Sequence, residues 1–136
     1  MVSAGELHRV LVNPASPFLN RAIQGLYPPG STFKIVTTAT ALDEGVATPD
    51  RVFPTLDSLQ LPLTTNRLQN FGGQTCGGSL LESFVASCNT TFGQLGLDLG
   101  ERFVTGLDRF GILEAVPIDL RPGSVAGTGP AAGSFR

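Results

Sequence analysis

Apolar and small residues run from Ser31 to Leu42 without a glycine or proline, and after Lys34 only threonines separate Ile35, Val36, Ala39, Ala41 and Leu42. No charge follows Lys34 until Asp43, and Gly45 stands where a glycine commonly ends a helix. The pattern predicts a helix that is apolar nearly all round and therefore buried. A second helix is expected from Ser79 to about Ala86. Ser79-Leu80-Leu81-Glu82 has the spacing of a capping box, and Leu80, Leu81, Phe84 and Val85 form the apolar stripe. Ser87-Cys88-Asn89 interrupts it, Asn89 caps a further helix through Leu99, and a short one over Glu101 to Phe110 stops at Gly111.

The remaining stretches lack such periodicity. Residues 1–30 are rich in Pro, Gly and Asn and read as mostly irregular. Residues 46–78 suggest loops with a small hairpin around Leu59-Gln60-Leu61, and 122–136 a Gly/Pro-rich tail or frayed end. No internal repeat is present.

A chain of 136 residues, with 41% hydrophobic and 15% charged residues, suits one domain or part of one. The net charge of -2 and the lack of any Lys/Arg run exclude a nucleic-acid partner. No apolar stretch reaches the roughly 18 residues of a membrane span, and the first residues lack the order of a signal peptide. Cys76 and Cys88 fit one disulfide or two free thiols equally well. His8 has no companion at ligand spacing, and no metal site is expected. The glycine pairs at 72–73 and 77–78 lack the strand and helix context of a phosphate loop.

Lysine occurs once in the chain, at Lys34, inside its most apolar helix. Burying an amine there costs roughly several kcal/mol unless it is partnered or uncharged. Ser31 lies three residues earlier, so hydroxyl and amine project from one side of the first turn. The helix start favours negative charge on that oxygen, and a desolvated Lys34 could take its proton as a neutral amine. The plainer alternative is a capping serine and a lysine snorkelling to water.

Asn20-Arg21-Ala22 followed by Gly25-Leu26-Tyr27-Pro28-Pro29-Gly30-Ser31-Thr32-Phe33-Lys34 resembles the first active-site motif of penicillin-binding transpeptidases, and Ser87-Cys88-Asn89 is similar to their Ser-x-Asn motif. The resemblance implies an α+β fold of the serine β-lactamase and transpeptidase type. Residues 1–136 would then be a partial domain, mostly its helical part with the sheet largely missing. Within it, 1–30 would be a lead-in, 31–121 a helix-rich core with both motifs, and 122–136 a tail.

By the same resemblance Ser31 is the acylated nucleophile, Lys34 the acylation base, Ser87 a proton relay and Asn89 a holder of the substrate amide. The substrate is the D-Ala-D-Ala end of a peptidoglycan stem peptide, β-lactams acylate the same serine, and no cofactor or metal is needed. The expected setting is the extracytoplasmic face of a bacterial plasma membrane, in a membrane-anchored parent whose remaining domain completes the site. The third family motif, Lys-Thr-Gly or Lys-Ser-Gly, cannot be built without a second lysine, and Gly127-Thr128-Gly129 echoes it without the cation. Two other readings share these motifs: a non-catalytic binding module, and a β-lactamase or β-lactam sensor.

Overall fold

The computed structural model describes residues 3–20 and 27–114. Residues 21–26 of the first motif, the tail 122–136 and Gly127-Thr128-Gly129 lie outside the described residues. The described residues fall into two compact units, one holding residues 3–20, 27–28 and 113–114, the other Pro29–Ile112.

In the first unit, helix α1 (Ala4–Leu11) replaces the irregular segment expected there. Its start is a complete capping box: the Glu6 backbone N–H donates to Ser3 Oγ at 3.2 Å, and the Ser3 N–H donates to the Glu6 carboxylate at 2.8 Å. The Ser-x-x-Glu signal was present, but the Pro- and Asn-rich context after Leu11 masks it. His8 therefore sits in a helix rather than in the irregular segment expected there. No residue of α1 is buried.

The second unit is organised on α2 (Phe33–Asp43), which continues a 3-10 turn at Gly30–Thr32. Gly45, at φ +63°, ends it as expected, its N–H donating to the Leu42 carbonyl. The burial of α2 is not all-round. Val36, Thr37, Thr40 and Ala41 face inward, whereas Ile35 is 55% and Leu42 41% exposed. Threonines can occupy the inner face because their methyls pack and their hydroxyls can return to the helix, as Thr37 Oγ1 does by donating to the Phe33 carbonyl at 3.2 Å. Thr40 instead packs against Gly106 so closely that a Cβ there would lie 1.9 Å from Thr40 Oγ1.

Strands β1 (Val52–Leu56) and β4 (Cys76–Ser79) pair antiparallel, as do β2 (Ser58–Gln60) and β3 (Arg67–Gln69). The second pair is the hairpin foreseen around Leu59, with Leu59 opposite Leu68. Helix α3 (Leu80–Val85) begins with the expected capping box, Ser79 with Glu82. Of its supposed apolar stripe only Leu80 is buried; the inner face is Leu80 and Ser83, one turn apart. Ser83 tolerates burial because Thr91 Oγ1 donates to its hydroxyl at 3.0 Å.

Helices α4 (Asn89–Leu99) and α5 (Arg102–Arg109) follow, the latter stopped before Gly111 at φ +66°. Ala41, Ala47, Phe53, Leu80, Phe92, Leu95 and Leu99 form one core in which α2, β1, α3 and α4 meet. That packing brings the start of α2 beside the start of α4. Among the described residues, no helix is long and apolar enough to cross a membrane.

Candidate active site

Ser31 lies in the middle of the 3-10 turn that opens α2. The turn is set locally. Gly30 takes φ +56°, a conformation costly for residues with a Cβ, and Thr32 Oγ1 donates to the Pro29 carbonyl at 2.5 Å. Neither Ser31 nor Thr32 caps α2 with its side chain, so the capping role open to Ser31 in the plainer reading is not the one it takes. Lys34 follows one turn later and is half-buried.

Its ammonium points inward. Lys34 Nζ donates to the Ser87 carbonyl at 2.6 Å, to Ser87 Oγ at 2.9 Å and to Asn89 Oδ1 at 2.7 Å. The Phe92 ring lies on another side, its centroid 5.3 Å from Nζ. Among the described residues no carboxylate pairs with this lysine; the ion pairs there are Arg51 with Asp98, and Arg109 with Asp43 and Glu44. Desolvation by the surrounding protein lowers the Lys34 pKa from the ordinary lysine value of 10.5.

Ser87 Oγ is also 3.0 Å from Ser31 Oγ. A continuous chain therefore runs from Ser31 through Ser87 to Lys34, although Ser31 and Ser87 are 56 residues apart in sequence. Ser31 and Lys34 are joined through the Ser87 hydroxyl rather than directly, a link that the one-turn spacing alone did not predict. Ser87 has φ +55°, unusual for a residue with a Cβ, and this turn aims both its carbonyl and its hydroxyl at Lys34.

Asn89 is the first residue of α4, not its cap; the N-cap is Cys88, which has no side-chain capping bond. The Asn89 side chain is engaged elsewhere. Its Oδ1 accepts from Lys34, and its Nδ2 donates to the Gln69 carbonyl at 2.9 Å at the end of β3. The two contacts fix which end of the amide faces the lysine.

Cys88 is fully buried and joined to Cys76 of β4 in a disulfide, resolving the alternatives the sequence left open. Beside these groups lies a cleft of about 350 Å³, lined among others by Ser31, Phe71, Gln74, Ser87 and Asn89. The four residues singled out from the sequence, Ser31, Lys34, Ser87 and Asn89, thus converge on one place. Gln69, Asn70 and Phe92 join them without having carried any signal, because their contacts are made across elements distant in sequence. Among the described residues, no group of His, Cys, Asp and Glu could hold a metal ion.

The arrangement provides a hydroxyl at a helix start, a relay hydroxyl, an amine with lowered basicity and an open cleft, the parts required for acyl transfer to a serine. Residues 4–132 match the family described as the penicillin binding protein transpeptidase domain. The chain is 45% identical over 120 residues to the peptidoglycan D,D-transpeptidase PbpA of Mycobacterium tuberculosis, an alignment covering 85% of this chain and 24% of the relative. It is 31% identical over 121 residues to MrdA of Escherichia coli, also named a peptidoglycan D,D-transpeptidase, covering 88% and 19%.

Among solved structures, penicillin-binding protein A from M. tuberculosis as a ceftriaxone acyl-enzyme complex superposes with a TM-score of 0.79 and 42% identity, over 90% of this chain and 28% of that one. Pseudomonas aeruginosa PBP2 in complex with WCK 5153 gives 0.77 and 30%, over 88% and 28%. The chain spans about a quarter of the length of the first of these relatives.

Proposed function

Given that this chain belongs to the penicillin binding protein transpeptidase domain family, we propose that it carries the acylating half of a peptidoglycan D,D-transpeptidase site, with Ser31 as nucleophile. The observation that carries the proposal is the hydrogen-bonded chain from Ser31 Oγ to Ser87 Oγ, 3.0 Å, and on to Lys34 Nζ, 2.9 Å.

With Lys34 neutral, the lone pair of its amine accepts the Ser87 hydroxyl proton while Ser87 Oγ accepts that of Ser31. The Ser31 oxygen attacks the carbonyl carbon of the penultimate D-alanine, and the carbonyl electron pair moves onto its oxygen. When that tetrahedral species collapses, the C–N bond breaks and the departing D-alanine amine takes a proton back along the same relay. An amine of a neighbouring stem peptide then attacks the ester carbonyl and gives a proton to Lys34 through the relay; the ester C–O bond breaks, Ser31 Oγ takes that proton back, and the crosslinking amide remains. A β-lactam enters by the same first step, its ring C–N bond breaking as the acyl-enzyme forms.

Asn89 serves twice in this reading. Its Oδ1 orients Lys34, and its amide borders the cleft where a substrate amide would lie. The Ser31 N–H supplies one oxyanion donor, a contribution of about 3 to 4 kcal/mol in acyl-transfer sites. The only lysine is committed to the relay, so the cation that receives the substrate carboxylate comes from a Lys-Thr-Gly or Lys-Ser-Gly segment outside these 136 residues. Residues 1–136 would thus be one part of the domain, with 31–121 bearing the catalytic groups and the flanking 1–30 and 122–136 bearing none. The Cys76–Cys88 disulfide supports an extracytoplasmic, oxidising location.

The test is covalent labelling. A labelled penicillin added to the protein as its cell makes it should leave a mass adduct on the peptide containing Ser31, and Ser31→Ala should remove it. The 136-residue chain alone should label far more slowly. An adduct on another residue, or none on the protein from its own cell, would refute the acyl-transfer reading and leave a binding module.

A further inference from the structure

We propose that Asn70, which belongs to neither motif, is a positioning residue: it caps α4 from a distant segment and so holds Asn89 against Lys34. Its role in catalysis rests on the acyl-transfer reading above; its geometric role does not.

The start of α4 has an unusual problem. A helix N-terminus leaves backbone N–H groups without partners, and the N-cap side chain commonly accepts from one of them. Here the N-cap is Cys88, whose sulfur is in a disulfide, and the next residue, Asn89, has its side chain turned to Lys34 and Gln69. Neither local side chain can cap. Asn70 Oδ1 does so instead, accepting from the Thr90 N–H, the second of the helix, at 3.0 Å from 20 residues away.

Asn70 is itself held on its other sides. Its Nδ2 donates to the Leu56 carbonyl at the end of β1 at 2.8 Å, and its backbone N–H donates to the Asp57 carbonyl at 3.3 Å. It is 5% exposed, too buried to leave either side-chain atom unpaired without cost. The preceding residue, Gln69, offers the carbonyl that receives Asn89 Nδ2 at 2.9 Å. One two-residue step therefore fixes both the helix that carries Asn89 and the rotamer of Asn89 itself. Once the amide nitrogen is spent on Gln69, only the oxygen is left to face Lys34.

The single lysine makes this measurable without any acylation. In the 136-residue chain prepared with 13Cε-labelled lysine, one resonance reports Lys34 alone. Asn70→Ala removes the cap, frees Asn89 and withdraws an acceptor from the ammonium, so the Lys34 titration should move to lower pH than in the parent. Asn70→Asp keeps an acceptor for the Thr90 N–H and adds a negative charge behind Asn89, so its titration should return to or exceed the parent's. A folded Asn70→Ala chain that titrates with the parent overturns the proposal. Should Asn70→Ala unfold, Asn70→Asp decides, and a midpoint below the parent's overturns the proposal.

The second readout is penicillin acylation in the complete protein. Asn70→Ala should slow it by about tenfold, because losing the placement of Lys34 on the Ser87 hydroxyl outweighs the larger neutral fraction of the amine, and Asn70→Asp, which keeps the cap of α4, should recover part of the loss. If the parent labels at Ser31 and Asn70→Ala labels at the parent's rate, the positioning role alone fails. If the parent does not label, the acyl-transfer reading fails while the titration still judges Asn70.

Discussion

Ser31 and Lys34 owe their placement to their immediate neighbours, whereas Asn89 and the helix it opens owe theirs to residues far along the chain. At the first arm, Gly30 with φ +56°, the Thr32-to-Pro29 hydrogen bond and the start of α2 are all contained within a few residues. At the second, the Ser87 and Cys88 N–H groups close the turn locally on Phe84 and Ser83, but the segment from Cys88 into α4 is held by the Cys76 disulfide, the Gln69 carbonyl and the Asn70 side chain. The helix beginning at Asn89 has no cap of its own. The comparison teaches that a hydroxyl and an amine can be brought together by one helical turn, but the groups that surround the amine must come from another part of the fold. They surround the amine from the side its own helix cannot reach.

The largest break should come from the first arm. Lys34→Met removes the base while keeping a long side chain, and penicillin acylation of Ser31 in the complete protein should fall by about 100- to 10,000-fold, measured by stopped labelling and intact mass. Next is the second arm's influence on that base. Asn89→Asp places a carboxylate where Oδ1 now lies 2.7 Å from Nζ, raising the Lys34 pKa and keeping the ammonium charged. Acylation near pH 7 should slow by about 10- to 100-fold and recover as pH is raised.

Removing the remote tether should cost stability. The paired change Cys76→Ser with Cys88→Ser opens a crosslink with a sequence separation of 12, and denaturant unfolding should show a loss of about 3 kcal/mol. Because Cys88 lies between Ser87 and Asn89, acylation should suffer too. Gly30→Ala is the matched local change. No atom lies within 4 Å of the added Cβ, so only the backbone conformation resists, at about 1 kcal/mol.

The smallest effect is in the pH dependence of stability. Lys34 has a lower pKa in the folded chain, through desolvation, than the ordinary 10.5 expected when unfolded. Between those two values the unfolded chain holds the proton that the folded chain has released, so stability should rise with pH over the window ending near 10.5. Lys34→Met should flatten that rise.

Much of the helical framework was legible because its signals are local. The Ser79–Glu82 capping box, the stops at Gly45 and Gly111 and the hairpin at Leu59 each depend on a few adjacent residues. The same kind of signal, Ser3 with Glu6, also marks α1, where the surrounding turn residues obscured it. Burial was read less well. The α2 pattern suggested burial on every side, yet the inner face takes two threonines and leaves Ile35 exposed. Periodicity reports which residues share a face, not which face the neighbouring elements cover.

The sequence by itself marked the candidate pair: a lone lysine one turn after a serine, and a Ser-x-Asn segment able to join them. Only the tertiary structure decided that Lys34 reaches Ser31 through Ser87, that the cysteines are joined, and that Asn70 caps the helix bearing Asn89. The physical reason is the range of the forces involved. Helix starts and turns follow from torsions and hydrogen bonds among neighbours in the chain, while the surroundings of a buried amine are composed of whichever distant groups the core brings to it.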